Sequence, residues 1–203
     1  MTSVSKEIDG VRTLAVLDQD VDAGQITQES LDYFAEDSDG NVWYLGSYTE
    51  EYEGGSFVAV RDAWLAGVKG GEPGILMPAD PRTGTPPFSI ARPPGEDGDV
   101  AQVVKSGQRT CVPFKCFTEV LIVREGKASA PDNEFKYYAP GVGQVLNTPR
   151  SASQHRDLEK LVNLTVLSAQ GLDEANAEAL KLDKSAGSQE PKVFGGSARA
   201  AAL

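Results

Sequence analysis

The chain has 203 residues, 40% of them hydrophobic, and a formal net charge of -11. That is enough apolar content for one domain of ordinary size, or for a domain and a tail. The charge repels phosphate backbones and anionic membrane surfaces, which argues against nucleic acid as a partner, and no run approaches the ~18 apolar residues of a membrane span.

Glycine (21) and proline (12) lie between short apolar runs, the texture of an all-β protein with many turns. Val11 to Leu17 is a β-type run that leads into Asp18, Asp20 and Asp22, and Asp22 to Gln25 reads as a turn before a second strand. The strongest hairpin signal follows. Leu31 to Glu36 and Asn41 to Gly46 flank the Asp-Gly turn of Asp37-Ser-Asp-Gly40. Gly40 supplies the positive φ that such a turn needs, and Asp37 and Asp39 can bond their own backbone. Glu50 to Gly55 is the next turn, with a strand from Ser56 to Val60. Trp64 to Val68 precedes a glycine-rich loop, and Ile75 to Met77 is a short apolar run. Pro78 to Pro87 is too rich in proline for a central strand. Phe88 to Arg92 reads as an edge strand, Val100 to Val104 and Phe117 to Val123 as strands, and Pro93 to Gly98 as a loop. Ser129 to Asn133 is a loop, Glu134 to Tyr138 a strand broken at Ala139 to Gly143, and Gln144 to Leu146 its resumption. Ser151 to Arg156 is a polar linker, and Leu158 to Leu167 looks like a last strand.

After Ser168 the period changes. Ser168 fits an N-cap, and Leu172, Ala175, Ala179, Leu180 and Leu182 fall near helical spacing, so a helix is expected from about Ala169 to Ser185. Residues 188–203 are Gly-, Ser- and Ala-rich and read as a flexible tail. The expected organisation is an antiparallel β domain over 1–149, a last strand and helix over 150–187, and that tail. The fold class is mainly β: an antiparallel meander forming a barrel or half-barrel, with one C-terminal helix.

Cys111 and Cys116 are the only thiols, five positions apart across a Pro-containing turn. They suit the two arms of one hairpin and are expected to form a disulfide, worth about 2 kcal/mol at most because it closes a short loop. Such a bridge points to an oxidising compartment. Redox and zinc readings are weaker. The spacing is not Cys-x2-Cys, and His155 is the only histidine. The N-terminus, Met1-Thr-Ser-Val-Ser-Lys6, is polar with no apolar core of a signal peptide behind it.

Asp18, Asp20 and Asp22 are the candidate metal ligands. Alternating carboxylates with Glu29 at the twelfth position resemble a calcium loop, although Gly24 falls at position seven rather than six and the flanks read as strands. The plainer reading is a solvated acidic face beside a turn. No catalytic cofactor is indicated. Ser151-Ala-Ser-Gln-His155, Ser3-Val-Ser-Lys6 and Gly67-Val-Lys-Gly-Gly71 do not build a nucleophile, a base or a phosphate loop. The candidate ligand-binding residues are the aromatics Trp43, Tyr44, Trp64, Tyr137 and Tyr138. Inside a small barrel or half-barrel they either fill the interior or line a cavity for a small apolar or sugar-like ligand.

Three motifs carry a resemblance: Asp39-Gly-Asn-Val-Trp-Tyr-Leu-Gly46, Pro73-Gly-Ile-Leu-Met-Pro-Ala-Asp-Pro81 and Lys136-Tyr-Tyr-Ala-Pro-Gly-Val-Gly143. In this order, with the Cys-framed hairpin and a terminal helix, the chain resembles a family of uncharacterised exported bacterial proteins best represented in actinobacteria. The resemblance covers most of the chain and implies a secreted or cell-envelope, lipocalin-like or half-barrel protein. It implies no activity. Members carry a signal peptide and further strands before the equivalent of Ile8 to Arg12, so a shortened N-terminus is expected here. Three functions follow as expectations: a non-catalytic binding protein, a calcium-stabilised interaction module, and a hydrolase with a carboxylate pair.

Overall fold

A computed structural model describes residues 1–127, 134–149 and 158–203. The strands are β1 (Val4–Ile8), β2 (Val11–Asp22), β3 (Gln25–Glu36), β4 (Val42–Glu53), β5 (Ser56–Leu65), β6 (Glu72–Met77), β7 (Phe88–Arg92), β8 (Asp99–Cys111), β9 (Cys116–Lys127), β10 (Glu134–Ala139), β11 (Gly143–Pro149), β12 (Glu159–Lys160) and β13 (Ala201–Ala202). Two helices, α1 (Ala169–Gln189) and α2 (Pro191–Phe194), lie between β12 and β13. The strands join antiparallel in the order β12-β11-β10-β9-β8-β7-β6-β4-β3-β2-β1-β13, with β5 added to β4; β6 is shared, pairing with β4 in a first sheet and with β7 in a second. Mainly β with a C-terminal helix is therefore the observed class. Among the described residues the sheet does not close into a barrel, because β12 and β13 end the path.

The hairpin between β3 and β4 is where the chain divides. Its loop is the three residues Ser38, Asp39 and Gly40 rather than a two-residue Asp-Gly turn. The Gly40 amide donates to the Asp37 carbonyl (3.1 Å), the Asp37 amide donates to Asn41 (3.0 Å), and Gly40 holds φ 92°. β4 then serves two neighbours. Val42 to Tyr44 pair with β6, and Gly46 to Glu53 pair with β5. A glycine is needed at the fork, since a Cβ on Gly46 would sit 2.7 Å from Leu65 Cδ2 and 2.8 Å from the Trp64 carbonyl. Asn41 Oδ1 accepts the Ala79 amide at 2.8 Å, which ties the Asp-Gly-Asn turn to the Met-Pro-Ala segment. Two of the three motifs that carry the family resemblance are thus in contact.

Three apolar clusters fill the molecule. The first lies between β1–β5 and the helices and holds Leu31, Tyr33, Tyr48, Leu182 and Phe194. Alternation along β3 sends Leu31 and Tyr33 to this face and Asp32 and Phe34 to the other. The second packs Trp64 of β5 against Ile90, Ala101, Val103 and Val123 of β7–β9. The third surrounds Phe117, Val120 and Val145.

Cys111 and Cys116 are bonded and pair directly across the β8–β9 hairpin. The helix begins where expected: Ser168 Oγ accepts the Gly171 amide at 3.1 Å, and α1 runs on to Gln189. Two expectations are corrected. Of the anticipated last strand, Glu159 and Lys160 pair with β11 and Leu161 adds one bond to Val145, while residues 162–167 pair with no strand among the described residues. Residues 188–203 are not a loose tail: α2 buries Val193 and Phe194, and β13 pairs with β1. Ser129 to Asn133 and Ser151 to Arg156, with His155, lie outside the described residues.

Candidate functional site

The expected ligand-lining aromatics do not share one surface. Successive strand residues face opposite ways, so Trp43 packs on the helix-side cluster and Tyr44 on the inter-sheet cluster. The Trp43 indole donates to Asp37 Oδ2 at 2.7 Å. That bond, with those from Asn41, lowers the Asp37 carboxyl to about 2. Tyr44 stacks on Phe34 (4.9 Å between centroids) and meets the edge of Trp64 (5.3 Å). Tyr138 joins the same cluster, while Tyr137 packs into the third. Trp64 is 2% exposed. Tyr44, Trp64 and Tyr138 therefore act together as packing between the sheets.

Asp18, Asp20 and Asp22 stand exposed on β2. Asp18 pairs with Ser30, and Gln19 pairs with Glu29, so Asp18 and Glu29 face opposite sides of the hairpin. The calcium-loop spacing is dispersed by the strand period. Among the described residues no group of three or more His, Cys, Asp or Glu is arranged to hold a metal ion.

Sequence reasoning did not single out the polar layer between the sheets. Asp32 accepts the Tyr44 hydroxyl at 2.6 Å, and its carboxyl is raised because burial outweighs the bonds from Tyr44 and Ser47. Asp62 is raised by burial too, with Ser47 bonding it and Asp32 adding repulsion. On the facing strands, Lys136 reaches Glu125 (2.9 Å) and Glu134 (3.2 Å), and Tyr138 donates to Glu125 at 2.8 Å. Burial pulls the Lys136 ammonium down, but the two carboxylates outweigh it and raise its pKa. Asn147 donates to Glu134 at 2.8 Å, and its buried Oδ1 has no hydrogen-bond partner among the described residues.

An open groove lies on the other side, where the tips of β2–β3 and β4–β5 approach α1. This groove has a volume of about 760 Å³ and is lined by Leu17, Ile26, Glu29, Tyr52, Glu178 and Lys181 among others. Glu29 lines the groove, and Glu50 is its neighbour on β4. Glu29 and Glu50 are directly opposed across β3 and β4, and each is 3% exposed. Among the described residues neither has an ion-pair partner. Glu50 instead accepts hydroxyls from Tyr48 (2.6 Å), Tyr52 (2.5 Å) and Ser185 (2.5 Å), and Glu29 accepts Gln19 Nε2 at 2.5 Å. Burial, then the bond to Glu50, raises the Tyr48 and Tyr52 phenols, so both stay protonated donors. At the rim Lys181 donates to Glu178 at 2.6 Å. Glycines at 54, 55 and 171 keep the walls low. None of the five aromatics singled out from sequence lines this groove. A signal for Glu29 was present, since it shares the β3 face of Leu31 and Tyr33 by alternation.

Comparison with protein-family models, curated proteins and solved structures finds no match to this chain. Among the described residues no helix is long and apolar enough to cross a membrane.

Proposed function

We propose that the protein is a non-catalytic binding protein of the cell exterior or envelope, and that the groove beside α1 takes a small sugar-like ligand. The groove itself carries this reading. Its volume falls in the ordinary range for small-molecule sites. Its lining mixes aliphatic carbon, one aromatic ring and hydrogen-bonding groups, as a hydroxyl-rich ligand with apolar faces requires. Tyr52 offers the ring, and Glu29, Glu178 and Lys181 offer the polar contacts. The Cys111–Cys116 bridge and the resemblance to exported bacterial proteins support the exterior location. The antiparallel sheet, with Trp64 of β5 packed on β7–β9, is compatible with the half-barrel that the resemblance implies.

The test is titration of isotope-labelled protein with maltotriose, cellotriose and chitotriose, followed by amide NMR. Shifts at Gly54, Gly55 and Gly171 are expected for at least one sugar, weakened about tenfold by Tyr52→Ala (about 1.4 kcal/mol). Absence of shifts at those amides with all three sugars at millimolar concentration refutes the reading.

The hydrolase reading has one observation in its favour. Asp32 and Asp62 both have raised carboxyls and share Ser47. Perturbed carboxylate pairs mark active sites and structural networks alike, and here the sheets pack over them.

A further inference from the structure

We propose that residues 162–167 act as a donor strand for the free edge of β5 in a second copy of this chain. The segment Val162-Asn-Leu-Thr-Val-Leu167 has the composition of a strand and, among the described residues, no strand neighbour. It is held at both ends. Leu161 donates its amide to Val145 (2.9 Å) and accepts the Phe114 amide (3.2 Å), and Ser168 caps α1. Between these anchors no backbone hydrogen bond reaches the described remainder of the chain. Val162, Leu164 and Val166 are 71%, 48% and 95% exposed, and in an extended strand they share one face. Such a run of unpaired backbone beside apolar side chains is a template for pairing with another chain.

The matching edge is on the same molecule. β5 pairs with β4 alone, so its outer edge is open among the described residues. Phe57 and Val58 stand 42% and 51% exposed there. Ser56 to Val60 carries no charge, and neither does Val162 to Leu167. Two chains of net charge -11 repel each other on the whole. At the donor and this stretch of edge two copies can meet without opposed carboxylates. Their lengths agree, about 20 Å for six strand residues. Anchoring at Leu161 and Ser168 lowers the ordering cost of docking. If each copy donates to the other, the contact closes as a two-fold dimer; if donation runs one way, it continues as a filament.

The experiment is light scattering behind size-exclusion chromatography on the full chain, from micromolar to submillimolar concentration. A mass at least twice that of one chain is expected, rising with concentration. Val166→Lys and Val58→Lys should each weaken association about tenfold or more (about 1.4 kcal/mol) while leaving the circular dichroism spectrum unchanged. A mixture of separately prepared Val166→Cys and Val58→Cys chains should form an intermolecular disulfide. A wild-type chain that stays monomeric throughout overturns the proposal, whether or not some other protein takes the segment. So does an association that both lysine variants leave intact.

Discussion

Asp183→Ala should loosen the closure of the sheet edge more than any other single carboxylate change. Asp183 is 6% exposed and sits on the buried face of α1. Its Oδ1 bonds Lys6 Nζ (2.8 Å) and the Tyr33 hydroxyl (3.0 Å), and its Oδ2 accepts the Ala200 amide (3.0 Å). Lys6 is itself 3% exposed and has one further acceptor, the Ala198 carbonyl at 2.7 Å. Removing the carboxylate leaves a buried ammonium without its counter-ion. Breaking such a pair costs about 3–5 kcal/mol. For a domain of this length each kcal/mol moves the melting temperature by about 2–4 °C, so a fall of about 6–20 °C is expected. Urea denaturation followed by tryptophan fluorescence measures the loss, and amide exchange at Ala200 locates it. High salt should change the loss little, because a buried pair is weakly screened. The combined variant Lys6→Met, Asp183→Leu, Tyr33→Phe removes every member of the network with a buried side chain. It should recover most of the stability, since an apolar replacement strands no charge. A loss below about 1 kcal/mol for Asp183→Ala would refute the reasoning, because it is less than a stranded buried charge can cost.

Stability should also depend on Asp32. Its folded carboxyl is raised, so the native state binds that proton more tightly than the unfolded chain. Its contribution is therefore unfavourable at neutral pH and is relieved as pH falls through the raised value. Asp32→Asn should raise the midpoint of urea unfolding at pH 7 and flatten the stability profile on the acid side; an unchanged profile would count against the buried carboxyl. Gly46→Ala is expected to destabilise by about 1–3 kcal/mol through overpacking at the β4 fork. Leu65 can turn aside from the new methyl but the Trp64 carbonyl cannot, and an unchanged urea midpoint would show that the fork has slack.

Local rules carried much of the fold. The Ser168 cap, the Asp37–Gly40 turn and the Cys-framed hairpin each depend on residues close in sequence, and each forms. Leu158 to Leu167 shows where local rules stop. Its β-branched alternation is the same as that of a paired strand, but pairing needs a neighbour, and the sequence does not state where the sheet ends. Residues 188–203 failed differently. Two apolar residues, Val193 and Phe194, anchor a stretch whose average composition is that of a linker. The aromatics were a sound choice for the interior, and they do not form one common lining, because alternation divides Trp43 from Tyr44 and Tyr137 from Tyr138. The groove joins Glu29 of β3, Tyr52 of β4 and Lys181 of α1, a juxtaposition made only by the helix folding back on the sheet.

The pairing of β1 with β13 has a consequence for biosynthesis. Val4 pairs with Ala202, and the Leu203 amide donates to Ser3 at 2.9 Å. β1 is thus completed by β13, which is made after every other described strand. At about 5–20 residues per second, β1 waits on the order of 10–40 s for its outer partner and its helical cover. Until then Val4 and Ile8, fully buried at the end, face solvent or a chaperone. A ribosome stalled before Ala169 would hold a chain with its hairpins made and this seam open, and a circular permutant that fuses the two ends would remove the wait.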